Sequence, residues 1–367
     1  MEAVEVMRVA YLSPNLSTET TGATQVAKTN LALLNILSRD QVRAYAASRH
    51  PMPDVSALTT SQSTFGTAWA NLHGLCATLA HKGRDEFLID IKKIKPDIIW
   101  LDSSLFGGLI KDLRKCAPNA KIFTFFHNVE IDLLTQRIKR GAIQYLPAWT
   151  ATYLNELNSV KESDAIVSIS NIDAARIGQM YGRFDVQKHP VCLKKTAGVT
   201  ASWSNTNEVL FVGSQFGPNI EGANFLNEHV APILKTKRIL VAGKGLEKHL
   251  IAPRYHNIEF LGFVEDLSEL YRRSRAALAP IFSGGGMKVK LAESLMHGRP
   301  VIATNFAAIG YEKASKDSIL LANSAQDFAN AIETWVPTDL DSPGRDFDEY
   351  YSFEAGLRNL YQIINIV

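Results

Sequence analysis

Short apolar runs alternate with longer stretches of helical periodicity along almost the whole chain. Val6–Leu12, Val42–Ala47, Asp97–Leu101, Lys121–Phe126 and Asp164–Ile169 read as strands buried on both faces, because their apolar residues are nearly continuous. Between them, Gln25–Leu37, Gly83–Ile94 and Leu105–Lys115 carry helical spacing, and Ile131–Val160 carries it with a break near Pro147. Ser170 stands as an N-cap before a further helix, and the polar stretch 48–67 reads as a surface loop. Between His189 and Asn207 periodicity is lost, which marks a linker. A second series then begins: strand Val209–Val212, helix Pro218–Ile233, strands Arg238–Ala242 and Ile258–Leu261, a helix through Arg273, and strand Ala276–Ala279. Helix Ala325–Trp335, a polar stretch 337–346 and a last helix Glu349–Ile366 complete the chain. Strands alternating with helices at these lengths predict α/β architecture with parallel, doubly wound sheets.

Length turns one such sheet into two. At 367 residues the chain exceeds what one core usually holds, and an apolar fraction of 46% supplies two. The expected division is an N-terminal domain over 1–190, a linker over 191–206, a second domain over 207–345 and a terminal helix over 346–367. A net charge of +2 excludes a dedicated nucleic-acid binder, for which a basic excess is expected. The slight basic excess lies in the first half, where it suits an anionic membrane or acceptor. Cys76, Cys116 and Cys192 have no metal or redox spacing and fit a reducing compartment. With no leader-like start and no long apolar run, a cytoplasmic protein is expected, in reach of the inner face of the plasma membrane.

Candidate chemistry concentrates between Ala279 and Thr304, where a short strand meets a triple-glycine turn, a helix and a second strand. Gly284, Gly285 and Gly286 allow backbone amides to approach an anion closely, at the entrance to a helix whose first amides lack partners. Lys288 and Lys290 then put two cations where the helix dipole prefers anions, a conflict that a bound diphosphate resolves. Glu293 follows at a distance suited to ribose hydroxyls. The same residues also fit an ordinary turn before a solvated basic helix end. Upstream, Thr20–Ala23 form a small-residue loop after the first strand, and His127-Asn128-Val129-Glu130 follows the Lys121–Phe126 strand. Strand ends of this kind hold ligands in open parallel sheets. The mixed basic and apolar stretch from Leu133 to Trp149 fits either packing on the sheet or contact with an anionic membrane. Asp339-Leu340-Asp341 and Asp346-Phe347-Asp348 imitate a metal-binding Asp-x-Asp but sit in a polar tail, so they read as solvated charge.

In order and spacing, Pro280, Ser283–Gly286, Lys288, Lys290, Glu293, Gly298 and Pro300–Ala303 resemble the donor site of the family 4 glycosyltransferases. The HNVE tetrapeptide with Arg137 after it, the strand and glycine at 209–213, and Gly310-Tyr311-Glu312 are similar to further segments of that family. The resemblance implies the GT-B fold: two Rossmann-like doubly wound domains facing across a cleft, the donor on the second and the acceptor on the first. It also implies a retaining transferase that moves a sugar from a nucleotide-sugar donor to a glycan, glycolipid or other acceptor, as in polysaccharide biosynthesis, with no metal or other cofactor. On this resemblance His127 and Lys288 are catalytic, and Gly213, Ser214, Val264, Gly284, Gly285, Gly286, Met287, Lys288, Lys290 and Glu293 bind the donor. Gly22, Ala23, Asn128 and Glu130 lie on the acceptor side. Two positions depart from the family: Gly285 where many members have Glu, and Ser214 where many have Arg. They keep open a degenerate subunit that binds a partner transferase, beside a GT-B epimerase or phosphorylase.

Overall fold

The computed structural model describes residues 7–19, 21–63, 66–67, 70, 79–196 and 206–366. Cys76, the start of the chain and part of the expected linker lie outside them. The chain divides into two compact units, Met1–Pro190 with Leu357–Val367, and Val191–Gly356.

In the first unit, seven strands among the described residues form one sheet in the order β3-β2-β1-β4-β5-β6-β7. They are β1 Val9–Ser13, β2 Val42–Ala46, β3 Ser56–Ala57, β4 Ile98–Leu101, β5 Lys121–Phe126, β6 Ala165–Ser168 and β7 Gln187–Lys188. Every pairing is parallel. The crossovers are α1 Gly22–Leu37, α2 His81–Ile94, α3 Ile110–Cys116, α4 Glu130–Lys139, α5 Leu146–Glu162 and α6 Asn171–Tyr181. Strands β1 and β4 are buried throughout, and Trp100 stacks on Phe123 of the neighbouring strand with centroids 5.8 Å apart. The expected polar loop contains the two-residue edge strand β3. The expected break near Pro147 is present: α4 ends at Lys139 and Pro147 opens α5 in the first turn, where its missing N–H costs nothing.

The second unit repeats the scheme with β8 Glu208–Val212, β9 Arg238–Ala242, β10 Ile258–Gly262, β11 Ala276–Ala279, β12 Val301–Ala303 and β13 Ile319–Leu321. Their order is β10-β9-β8-β11-β12-β13, again all parallel. This is the doubly wound order, whose crevices open at the carboxyl ends of the strands. Its helices include α7 Gly217–Phe225, α8 Ser268–Arg273, α9 Val289–Met296 and α10 Ala325–Thr334. The expected single helix from Pro218 to Ile233 widens after Phe225 into a π turn and then tightens into a 3-10 turn. The polar tail holds α11 Ser342–Asp346, and the last helix, α12, runs Phe353–Ile364. Its residues from Leu357 belong to the first unit, where Asn359 Oδ1 meets His189 Nδ1 at 2.7 Å.

One buried carboxylate fixes the start of α4, which has no side-chain cap of its own. Glu156 of α5 accepts the Glu130 amide at 2.8 Å, the Ser104 hydroxyl at 3.1 Å, the Tyr181 hydroxyl at 2.7 Å and the Ile131 amide at 3.4 Å. Burial pushes its carboxyl up to about 7, against the downward pull of Tyr181, the Glu130 amide and Ser104. Because the folded value lies above the unfolded one, the group's contribution to stability is complete below the usual glutamate range and is lost as pH rises through about 7. Glu156→Gln cannot ionise. The melting temperature of the unmutated protein should therefore exceed that of Glu156→Gln by more at about pH 5 than at about pH 8. An equal gap at both would show that Glu156 does not titrate in this window.

Candidate active site

In the first unit, the carboxyl ends of β1, β4 and β5 converge on one buried carboxylate. Asp102, directly after β4, has no exposed surface. Its Oδ2 accepts the Ser13 hydroxyl at 2.8 Å and lies 3.0 Å from His127 Nε2, while its Oδ1 accepts Asn30 Nδ2 at 3.3 Å. The His127 ring also stands edge-on to Phe125, with centroids 4.7 Å apart. Burial alone would lower the imidazole's pKa, but the Asp102 charge and hydrogen bond, with Glu130 behind them, carry it above the ordinary histidine value. Asn128 Nδ2 donates to Glu130 Oε1 at 3.1 Å. Gly22 and Ala23 do not lie in a loop before a helix. They form the first turn of α1, because Thr21 caps that helix by accepting the Thr24 amide.

In the second unit, the glycine turn runs from β11 into α9. Gly284 and Gly286 have φ of 106° and 60°, conformations that side-chain-bearing residues rarely adopt. Lys288 is not in the first turn of the helix as expected; it is the N-cap, with extended backbone, and α9 begins at Val289. Its Nζ folds back on the carbonyls of Gly285 and Gly286 at 3.0 and 2.6 Å and lies 4.7 Å above the Phe306 ring. Tyr311 Oη fixes this entrance by donating to the Lys288 carbonyl at 2.8 Å and accepting the Ala292 amide at 3.1 Å. Met287 is buried, whereas Gly285 is exposed.

Lys290 does stand in the first turn. Its Nζ donates to Asn219 Oδ1 at 2.7 Å and lies 4.4 Å above the Phe211 ring. Burial of its end pushes the ammonium down to about 7, although Glu293 opposes the shift and Lys288 assists it. Glu293 is itself raised by burial, with Lys290 and a hydrogen bond to Tyr271 of α8 pulling it down. Gly213 and Ser214 follow β8, and the Ser214 carbonyl accepts Asn219 Nδ2 at 3.0 Å. Val264 is half-buried just past β10.

Sequence reasoning missed Asn30, Asp102, Asn219 and Tyr271 as parts of these clusters. Asp102 carried a signal, a carboxylate placed directly after an uninterrupted apolar strand, but its partners are remote in sequence. In the acidic tail Asp339 pairs with Arg345, Asp348 with Lys195 at 3.1 Å, and Asp346 accepts the Ser315 amide at 2.7 Å. Among the described residues no group of His, Cys, Asp or Glu is arranged to hold a metal ion, and no helix is long and apolar enough to cross a membrane.

Two parallel, doubly wound units of seven and six strands give the fold of the GT-B glycosyltransferases. Residues 206–336 match the family described as "Glycosyl transferases group 1". Among solved structures it is similar to the lipopolysaccharide outer core galactosyltransferase WaaB in its apo form, at TM-score 0.72 and 12% identity over 98% of this chain and 100% of that one. It is equally similar in fold to Anabaena HepE in complex with UDP, at TM-score 0.72 and 13% identity over 98% and 100%. A glycosyltransferase from Rickettsia africae follows at TM-score 0.68 and 14% identity over 98% of both chains. No curated protein matches the chain by sequence.

The charge balance around His127 can be measured directly. Asp102→Asn preserves shape and removes the charge that raises the imidazole, so burial then acts with less opposition. The His127 pKa, followed by nitrogen-15 NMR titration, should fall in Asp102→Asn. An unchanged titration would mean that Asp102 does not govern the imidazole.

Proposed function

We propose that this chain is a retaining glycosyltransferase that takes a sugar from a nucleotide-sugar donor and needs no metal. The observation that carries the reading is that the group 1 glycosyltransferase domain, residues 206–336, contains the whole glycine-turn cluster. In that cluster two lysines stand at the start of α9, where a diphosphate supplies the charge that the helix dipole favours. The chemical demand is stabilisation of the departing diphosphate as the glycosidic bond breaks. Preorganised amides and Lys288 meet it without a metal. In the free protein Lys288 is satisfied by two carbonyls of its own turn, so donor binding exchanges those contacts for phosphate oxygens. The backbone at Gly213, Ser214, Val264 and Gly284–Met287 completes the donor site, and Glu293 serves the ribose. UDP is the first nucleotide to test, since the structurally similar HepE was solved with it.

His127 is the proposed catalytic group of the first unit, with Gly22, Ala23, Asn128 and Glu130 toward a glycan or lipid-linked acceptor. Exposed Ile143 and Leu146, next to exposed Lys139 and Arg140, support peripheral contact of this unit with an anionic membrane.

Calorimetry with UDP in excess chelator tests the donor site. Lys288→Ala should weaken UDP binding by roughly 2 kcal/mol, the scale of a charge-assisted hydrogen bond, while uridine affinity hardly changes. Glu293→Ala should weaken both alike. Unchanged UDP affinity in a folded Lys288→Ala protein would remove the turn as phosphate cradle, and binding restored only by manganese would end the metal-free reading. His127→Ala should keep nucleotide affinity and lower transfer or donor hydrolysis by about 10²-fold. Equal losses in binding and turnover would mark His127 as structural.

A further inference from the structure

The residue that places Lys290 is Asn219, which no resemblance assigned. It stands in the first turn of α7, beside Pro218, and its amide spans two parts of the unit. Nδ2 donates to the Ser214 carbonyl at 3.0 Å while Oδ1 accepts Lys290 Nζ at 2.7 Å. The two partners fix the orientation of the amide, since one must accept and the other donate. Gly213 makes the arrangement possible: a Cβ there would come within 2.8 Å of Asn219 Cγ. The lysine is thus drawn over the Phe211 ring, to the end of β8 where Ser214 leaves the site without a basic side chain.

The chemistry of this clamp is particular. A neutral amide oxygen accepts a hydrogen bond from an amine as well as from an ammonium, so Asn219 holds Lys290 in either protonation state. The nitrogen also lies over the ring of Phe211, which carries no charge, although its face favours the ammonium. The charges that act on it are Glu293, on the same helix and engaged with Tyr271 of α8, and Lys288, which opposes it. Burial of both Lys290 and Glu293 works against their ions. The fold therefore supplies a placed nitrogen with little counter-charge, and a diphosphate brings the counter-charge with it.

Resting on the donor site proposed above, we propose that Asn219 is the positioning residue of Lys290 and that nucleotide-sugar binding is coupled to uptake of one proton by Lys290 Nζ from solvent. Nothing else is consumed: the amine takes the proton, and the ammonium so formed pairs with a phosphate oxygen. Linkage then makes donor affinity fall as pH rises above neutrality.

The test is calorimetry with UDP-glucose, ADP-glucose and GDP-mannose in HEPES and in Tris, with chelator present. Their diphosphate diesters do not titrate near neutrality, so any proton exchanged belongs to the protein. At about pH 8 uptake should exceed about half a proton per nucleotide sugar bound, and at about pH 6 it should approach zero. Asn219→Asp sets a carboxylate against Lys290, so the lysine is charged beforehand and uptake at pH 8 should disappear, a change that a merely structural residue would not produce. Asn219→Ala should weaken UDP about tenfold and leave uridine affinity unaltered, and Gly213→Ala should reproduce that loss by displacing Asn219. Binding of a nucleotide sugar without proton exchange at pH 8 overturns the coupling while leaving the donor site standing. Unaltered uptake in Asn219→Asp, or unaltered UDP affinity in Asn219→Ala, overturns the role of Asn219. If none of the three nucleotide sugars binds, the donor site itself falls and the coupling with it. The wild-type proton count carries the test if a variant fails to fold.

Discussion

A carboxylate with no exposed surface must be compensated where it stands, since an isolated buried charge costs several kcal/mol. In the first unit that requirement falls on Asp102, and Ser13, Asn30 and His127 meet it. The consequence is geometric, because these residues stand at the end of β1, in α1, and just past β4 and β5. Satisfying one carboxylate ties together the carboxyl ends of adjacent parallel strands, where the fold opens its crevice. Glu156 applies the same logic one turn further along, holding the amides that begin α4. The segment from His127 to Ile131 is thereby gripped at both ends, so the imidazole stands on a rigid support.

The second unit solves a related problem with the opposite sign. Here cations are gathered at a helix start, where the dipole offers them nothing, and the fold provides neutral acceptors and ring faces. Lys288 has the carbonyls of Gly285 and Gly286 with Phe306, and Lys290 has Asn219 with Phe211. Tyr311 keeps the entrance of α9 in register by bridging the Lys288 carbonyl and the Ala292 amide. Each lysine nitrogen is thus met by uncharged oxygen and by a ring face.

Much of the architecture was legible because strands buried on both faces leave uninterrupted apolar runs, and β5, β9 and β11 have the predicted limits. Edge strands of two residues, β3 and β7, leave no periodic trace and were not legible. Nor was the start of α9, where a lysine takes the N-cap position that small polar residues usually hold. The candidate site divides along the same line. The glycine turn, Lys290 and His127 announce themselves locally, since composition and strand ends point to them. Asp102 and Asn219 do not, because Asp102 matters through partners 25, 72 and 89 positions away and Asn219 through one 71 positions away. Only the parallel topology brings those partners together, and no window along the chain contains both.

The two departures from the resembled family gain meaning when taken together as charge. Ser214 stands where many members have an arginine, and Gly285 where many have a glutamate. One loses a cation and the other an anion, so the sum around the turn is preserved. A turn without that carboxylate presents less repulsion to a diphosphate and requires less positive charge to hold it. Lys288 and Lys290 then suffice where a third cation would otherwise oppose the glutamate. At the end of β8 the amide of Asn219 lies between the Ser214 carbonyl and Lys290. The two changes are therefore paired in charge, one cation against one anion, and under the proposed function they alter how a diphosphate would be met without shifting the local balance.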